Sequence, residues 1–264
     1  MTTAIDPPED LPALKGRVLG HLRETVRALA DEVVPVEGGW VARTRSRPGS
    51  FSYNQVHISG PATADEAIGL ATEHQADLPF LHLTVEDEPS GKALAAELAA
   101  AGWKVDREVF MALLEPSSFE VTGTGAIVEL GEDEMLALIR RWSTEDDPNV
   151  APARLDDVED LCRREGRLWH ERAFGVRDRH GAPAAVTKLR ADRATAWLED
   201  VYTVPEERRQ GHARRLVGHA TELARAADND LTFILADDND WPKHLYAEAG
   251  FRPVGLGWIF HREK

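Results

Sequence analysis

The chain has 264 residues, with 46 acidic and 31 basic side chains and a formal charge of −15 at pH 7. A hydrophobic content of 42% with 29% charged residues describes a folded globular chain rather than a disordered one. The acidity argues against binding nucleic acid or an anionic membrane surface, both of which depend on Lys and Arg. The single cysteine, Cys162, excludes an intramolecular disulfide and a cysteine-based zinc cluster.

Residues 2–10 carry acids and prolines and lack the basic start and apolar run of a signal peptide. No apolar run approaches the roughly 20 residues that span a bilayer, so a cytoplasmic protein is expected. Leu14, Val18, Leu22 and Val26 recur at steps of four and predict a helix over 11–32. Two short strands follow at 40–45 and 52–59, then a helix over 63–75 whose Thr63 and Glu66 form a capping box. A strand (78–85), a helix (90–101) and a strand (103–114) complete the first half. Pro116, Ser117 and Ser118 mark a linker, which divides the chain into domains 1–118 and 119–264.

The second half predicts helices at 133–142 and 155–170 and strands at 172–177, 184–189 and 196–204. A long helix (211–227), a strand (231–236), a short helix (242–249) and a terminal strand (251–261) follow. The two halves share a plan. An apolar strand feeds a helix that stops at Ala101-Gly102-Trp103 in one half and at Ala249-Gly250-Phe251 in the other. Glycine suits the left-handed turn past a helix end, and the repetition points to duplication.

The stretch Arg208-Arg209-Gln210-Gly211-His212-Ala213-Arg214 joins a strand to a helix. Amides at a helix start, with the helix dipole, make an anion site, and small residues let a phosphate approach the backbone. This stretch resembles the acyl-CoA loop of the GNAT superfamily of N-acetyltransferases. Downstream, the segment from Asn239 through Tyr246 to Gly250-Phe251 is similar to that family's Asn-x6-Tyr-x3-Gly-Phe pattern. Pro242 departs from the family's frequent alanine, and proline is tolerated in a first helical turn.

The resemblance implies an α/β fold of two tandem GNAT-like domains, each a mixed, largely antiparallel sheet flanked by helices. It implies acetyl-CoA as acyl donor, an amine acceptor and no metal. Backbone amides at Val201, Tyr202 and Thr203 would pair with the pantetheine arm, and those of Arg209 to Arg214 would hold the pyrophosphate, with Arg208 adding charge. Asn239 would bond the cofactor arm and Tyr246 would protonate the leaving thiolate. For the base, Glu199 and Asp200 are neighbours on a strand, so alternation sends them to opposite faces. The Leu198-Glu199-Asp200-Val201-Tyr202 string, similar to polyamine-type members, favours Glu199 over Asp200.

His170 and His180 read as packing or surface residues, and Cys162 as a structural or exposed thiol. The acidic stretch Ser143-Thr144-Glu145-Asp146-Asp147 between two helices reads either as a solvated loop or as a negative rim for an amine. In the first half, Pro61, Asp65 and Glu66 stand where a phosphate loop would lie, and Leu98 takes the place of Tyr246. That half is expected to be degenerate and to bind no acyl-CoA. The leading expectation is therefore N-acetylation of a small primary amine by direct transfer, in a monomer or homodimer. A protein or peptide amine as acceptor, or a noncatalytic acyl-CoA-binding scaffold, are the alternatives.

Overall fold

The computed structural model describes residues 11–117, 126–192 and 194–264. The N-terminal segment 2–10, Ser118 of the predicted linker and the domain boundary at 118 lie outside the described residues. In chain order the elements are α1 (Leu11–Leu29), β1 (Glu32–Val36), β2 (Gly39–Arg43), β3 (Gln55–Ile58), α2 (Ala64–His74), β4 (Phe80–Val85), α3 (Glu88–Ala100) and β5 (Lys104–Leu113). The second half continues with β6 (Ile127–Leu130), α4 (Glu132–Asp146), α5 (Pro152–Leu168), β7 (Arg172–Arg177), β8 (Pro183–Ala191) and β9 (Thr195–Thr203). After a single 3-10 turn (Pro205–Glu207) come α6 (His212–Ala226), β10 (Leu231–Asp237), α7 (Pro242–Glu248) and β11 (Phe251–Glu263).

Local chemistry accounts for the boundaries. Thr63 accepts from the Glu66 amide while Glu66 accepts from the Thr63 amide, so the expected capping box forms and starts α2. At the end of α3 the Trp103 amide donates to the Leu98 carbonyl and the Gly102 amide to the Ala99 carbonyl. Gly102 has φ +83°, which completes a Schellman cap. Gly250, past α7, has φ +102°. The sequence pattern overlooked β1, whose Pro35 argues against a strand. The proline is accommodated because β1 is the sheet edge, where no second neighbour needs its missing N–H. The acidic stretch at 143–147 is not the solvated loop expected of it: Ser143 to Asp146 form the last turn of α4.

All strands join one 11-stranded sheet in the order β1-β2-β3-β4-β11-β5-β10-β9-β8-β7-β6. Among the described residues, only β3–β4 and β9–β10 pair in parallel. The halves are interlocked. β11 from the second half lies between β4 and β5, and β5 from the first half lies between β11 and β10. The β5–β11 ladder runs antiparallel from Phe251 opposite Leu113 to His261 opposite Lys104, with one register shift between Pro253 and Gly255.

The cores follow the same exchange. Trp258 and Phe260 of β11 pack with Leu83, Leu94 and Leu98 of the first half. Val109 and Met111 of β5 pack with Leu198, Leu216 and Phe251 of the second. Each large apolar side chain buried this way contributes about 1.5–3 kcal/mol. Among the described residues, no helix is long and apolar enough to cross a membrane.

Because each half completes its core with a strand of the other, thermal unfolding is expected to be one cooperative transition. Residues 1–118 and 119–264 made separately are expected not to fold. Two resolved calorimetric transitions would contradict this. Gly250→Ala is expected to cost at least about 1–3 kcal/mol, since the φ is left-handed and a Cβ would collide with the Glu115 carbonyl; urea unfolding measures it.

Candidate active site

The site begins where β9 leaves β10. Their parallel ladder runs from Thr195 opposite Leu231 to Leu198 opposite Ile234 and stops there, although both strands continue. Toward β8 the register skips from Lys188 opposite Glu199 to Val186 opposite Tyr202, and Asp200 takes φ +51°. This β-bulge bends β9 away from β10 and opens a slot with Val201, Tyr202 and Thr203 along one side.

At the head of the slot the chain makes its 3-10 turn and enters α6. Arg209 (φ +63°) and Gly211 (φ +81°) are left-handed, and Gly211 caps the helix without a side-chain hydrogen bond. The first-turn amides, including those of His212 and Ala213, therefore point at whatever lies ahead of the helix. The arginines are disposed unevenly. Arg208 bonds the Thr203 carbonyl at 3.0 Å and pairs with Glu145, and Arg214 pairs with Glu248. Among the described residues, Arg209 has no carboxylate partner. Gln210 bonds Glu207 at 2.7 Å. The His212 side chain is buried beneath the loop, its Nε2 3.8 Å from Glu207. Asn239 is exposed just past β10, its amide bonded to the Asp237 carboxylate at 2.7 Å.

Proline does sit in the first turn of α7, and Tyr246 lies further along that helix. Its ring is buried against Phe251, centroids 6.4 Å apart. Burial, reinforced by Asp200, pushes its phenol above the ordinary range. Among the described residues, no hydrogen bond holds its hydroxyl.

Beyond the slot lies a cavity of about 530 Å³ lined by residues of both halves. Glu199 and Asp200 both line it, which corrects the expectation that they face opposite sides: the bulge at Asp200 breaks the two-residue alternation. Behind them sits a buried charge network. Arg190, with no exposed surface, pairs with Glu165 at 2.5 Å, Glu171 at 2.7 Å and Glu199 at 2.9 Å. Its guanidinium lies 4.8 Å from the Trp197 ring centroid. Lys188 pairs with Asp200 and stands 3.5 Å from Glu171. Tyr53 of the first half donates to Glu165.

Burial raises the Glu199 carboxyl well above its ordinary range, against the opposing pull of Arg190. Burial and Arg190 disfavour the Lys188 ammonium, yet Asp200 and Glu171 hold its pKa above the usual value. Cys162 is buried 3.8 Å from Lys188, and burial pushes its thiol up to about 12, so it stays protonated. Of the acidic helix end, Ser143 and Asp146 line the cavity, while Glu145 accepts from Tyr202 at 3.0 Å. His170 and His180 are exposed. Among the described residues, no cluster of three His, Cys, Asp or Glu could hold a metal ion.

Sequence reasoning passed over Lys188 and Arg190. Their signal is two cations in the otherwise apolar strand Ala184-Ala185-Val186-Thr187-Lys188-Leu189-Arg190, since buried Lys and Arg occur almost only when paired. The first half differs at the matching place. The β3–β4 ladder persists to Ile58 opposite Val85, the last residue of each strand. Glu66 occupies the helix start there, and Leu98 is fully buried.

Residues 135–251 match the family model described as Acetyltransferase (GNAT) family. Among curated proteins, no relative matches the chain. Solved structures share the fold. A functionally unknown conserved protein from Staphylococcus epidermidis is 12% identical with TM-score 0.68, covering 89% of this chain and 95% of that one. A GCN5-related N-acetyltransferase from Kribbella flavida is 17% identical with TM-score 0.60, covering 94% and 95%. A tandem GNAT protein from the clavulanic acid biosynthesis pathway is 21% identical with TM-score 0.51, covering 76% and 68%.

Replacing Arg190 by methionine would strand Glu165, Glu171 and Glu199 without their shared cation. A loss of about 3–5 kcal/mol is expected in urea unfolding at neutral pH, and an unchanged midpoint would contradict the network's role.

Proposed function

Residues 135–251 belong to the acetyltransferase (GNAT) family, and from that premise we propose that the protein is an N-acetyltransferase. It moves an acetyl group from acetyl-CoA directly to a primary amine of a small molecule. Three features that follow one another along β9 and into α6 support this reading: the cavity that Glu199 and Asp200 line, the β9–β10 ladder that ends at Leu198 before Val201 to Thr203, and the helix start at Gly211 without a side-chain cap.

In this proposal the α6 amides, with Arg208, Arg209, Gln210, His212, Ala213 and Arg214 around them, hold the pyrophosphate. The open edge of β9 pairs with the pantetheine arm, and Asn239 bonds that arm at the far side of the slot. Holding both reactants in one cleft replaces a bimolecular encounter with an oriented one. Glu199 takes a proton from the acceptor ammonium, and Asp200, tied to Lys188, keeps the site negative toward the arriving cation. The amine nitrogen bonds to the acetyl carbon, the carbon–sulfur bond breaks, Tyr246 gives its proton to the departing thiolate, and the surplus proton of the newly bonded nitrogen returns to the Tyr246 phenolate. The raised pKa keeps the Tyr246 hydroxyl protonated at neutral pH, and among the described residues no hydrogen bond ties it up, so its proton is available as the thiolate leaves.

We propose further that residues 1–118 form a degenerate GNAT-like domain without an acyl-CoA site and that 119–264 form the catalytic domain. Support comes from the Glu66 carboxylate at the α2 start, the closed β3–β4 ladder and Leu98 in place of Tyr246. The first half lines part of the acceptor cavity instead, through residues such as Tyr53 and His57.

Calorimetric titration is expected to find a single acetyl-CoA site per chain; a second site would overturn the degenerate assignment. Tyr246→Phe is expected to slow thiol release from acetyl-CoA about 10²-fold or more, and full turnover at every pH would remove its role as acid. Glu199 must be ionised to act as base, and its pKa is raised. The wild-type kcat/KM is therefore expected to rise with pH through that pKa, and Glu199→Gln to lose about 10²–10⁴-fold together with this limb. A pH profile unchanged in Glu199→Gln would transfer the role to Asp200 or water.

A further inference from the structure

The first half reaches the charge network through the connection between β2 and β3. Residues 44–54 are organised around Asn54, whose side chain accepts from the Thr44 amide at 2.7 Å and donates to the Arg47 and Ser50 carbonyls, both at 2.8 Å. The Thr44 hydroxyl donates to the Tyr53 carbonyl at 3.0 Å. Two contacts fasten this loop to α5 of the second half. Arg47 pairs with Asp160 at 3.1 Å and with Asp157 at 3.4 Å, and the Arg154 guanidinium lies 3.8 Å from the Phe51 ring centroid. Tyr53 goes deeper. It is 2% exposed, and its hydroxyl donates to Glu165 at 2.5 Å. Burial and the adjoining carboxylate push its phenol far above the ordinary range, so the hydroxyl stays protonated and donates. With Arg47 and Phe51 already docking the loop, burying that hydroxyl on Glu165 adds a desolvation cost that docking does not require.

Among the described residues, the Glu165 carboxylate has two donors, the Tyr53 hydroxyl and Arg190. Arg190 donates through Nε to Glu171 at 2.7 Å and through one terminal nitrogen to Glu165 at 2.5 Å. Its other terminal nitrogen, Nη1, lies 2.9 Å from Glu199 yet makes no hydrogen bond. The planar guanidinium is thus oriented by Glu171 and Glu165, and Glu199 receives its charge without an aligned bond. Lys188 is turned elsewhere, to Asp200 and Glu171. Two cations therefore serve four carboxylates, and a neutral hydroxyl on Glu165 relieves its demand on Arg190 without adding charge. The other titratable groups around Glu199 are Cys162 of α5, Asp146 of α4 and Glu108 of β5 along the cavity, and Tyr246 of α7. Among the described residues, none of these bonds to Tyr53 or Glu165.

We infer that Tyr53 is a positioning residue for acetyl transfer, contributed by the first half and acting on Glu199 through Glu165 and Arg190. The hydroxyl satisfies Glu165, Glu165 holds Arg190, and Arg190 decides how much positive charge reaches the base. Without the hydroxyl, Arg190 is the one donor left to Glu165 and is drawn toward it. Glu199 then faces less positive charge and binds its proton more tightly. This rests on the reading of Glu199 as the base, and it gives the first half a task in the chemistry.

The test is a carboxyl titration followed by NMR in the intact, glutamate-labelled chain without acceptor, in which the resonance lost in Glu199→Gln reports Glu199. In Tyr53→Phe that titration is expected to move up by about half a pH unit, part of the worth of one charged hydrogen bond. In Glu165→Gln, which removes a competing negative charge, it is expected to move down. Adding Tyr53→Phe to Glu165→Gln is expected to change it no further. Thiol release from acetyl-CoA, with the best acceptor in a panel of small primary amines, is expected to follow. The kcat/KM of Tyr53→Phe falls about threefold near neutral pH and returns to the wild-type plateau at high pH, which a loosened fold would not do. A Glu199 titration unmoved in Tyr53→Phe, or moved equally in the Glu165→Gln background, would overturn the role of Tyr53 and leave Glu199 as base. If Tyr53→Phe does not fold, Glu165→Gln decides, since Tyr53 reaches Glu199 through Glu165: a downward movement supports the route and none overturns it. A pH limb that persists in Glu199→Gln would instead overturn the parent reading, and the titration, which needs no transfer, still decides whether Tyr53 acts on Glu199.

Discussion

The antiparallel ladder between β5 and β11 is the contact on which the rest of the molecule depends. It joins the last strand of each half to the other, so neither sheet closes without its partner. Met111 and Phe260, both almost fully buried, sit in cores built mostly from the opposite half. The ladder also fixes where chemistry can occur. By seating β5 beside β10, it brings Glu108 and Phe110 to the wall of the cavity that Glu199 and Asp200 enter from the other side. The strands of the sheet form one wall of this pocket, and α1, α4 and α5 cover the other.

A second constraint is electrostatic. Two buried cations, Lys188 and Arg190, stand among Glu165, Glu171, Glu199 and Asp200. The desolvation of each ion is offset only by the others, so the network tolerates little rearrangement. It reaches into the first half through the Tyr53 hydroxyl on Glu165. The network sets the surroundings of Glu199 as well, since Arg190 opposes the rise in pKa that burial imposes.

Much of this was legible in the residues themselves. The capping box at Thr63 and Glu66, the glycines after α3 and α7 and the left-handed Gly211 are local features whose geometry follows from short-range chemistry. What escaped depends on partners distant in sequence. Nothing in Phe251 to Glu263 tells which strands it will lie between, because alternation of side chains sets a face and not a neighbour. The bulge at Asp200 breaks a periodicity that sequence reading must assume, and so the two carboxylates seemed to part. Pro35 concealed β1 because tolerance for proline depends on the strand being an edge.

The exchange of strands also has a consequence for synthesis on the ribosome. Domains generally fold from the N-terminus as they emerge, yet here the gap between β4 and β5 stays unfilled until Phe251–Glu263 has been made. Until then, the facing edges of β4 and β5 present unpaired backbone groups and the apolar surface that Trp258 and Phe260 will cover, a template for pairing with other chains. Nascent protein therefore passes through an extended interval in which the first half is open to chaperones and to aggregation, and completion of one strand closes both halves together.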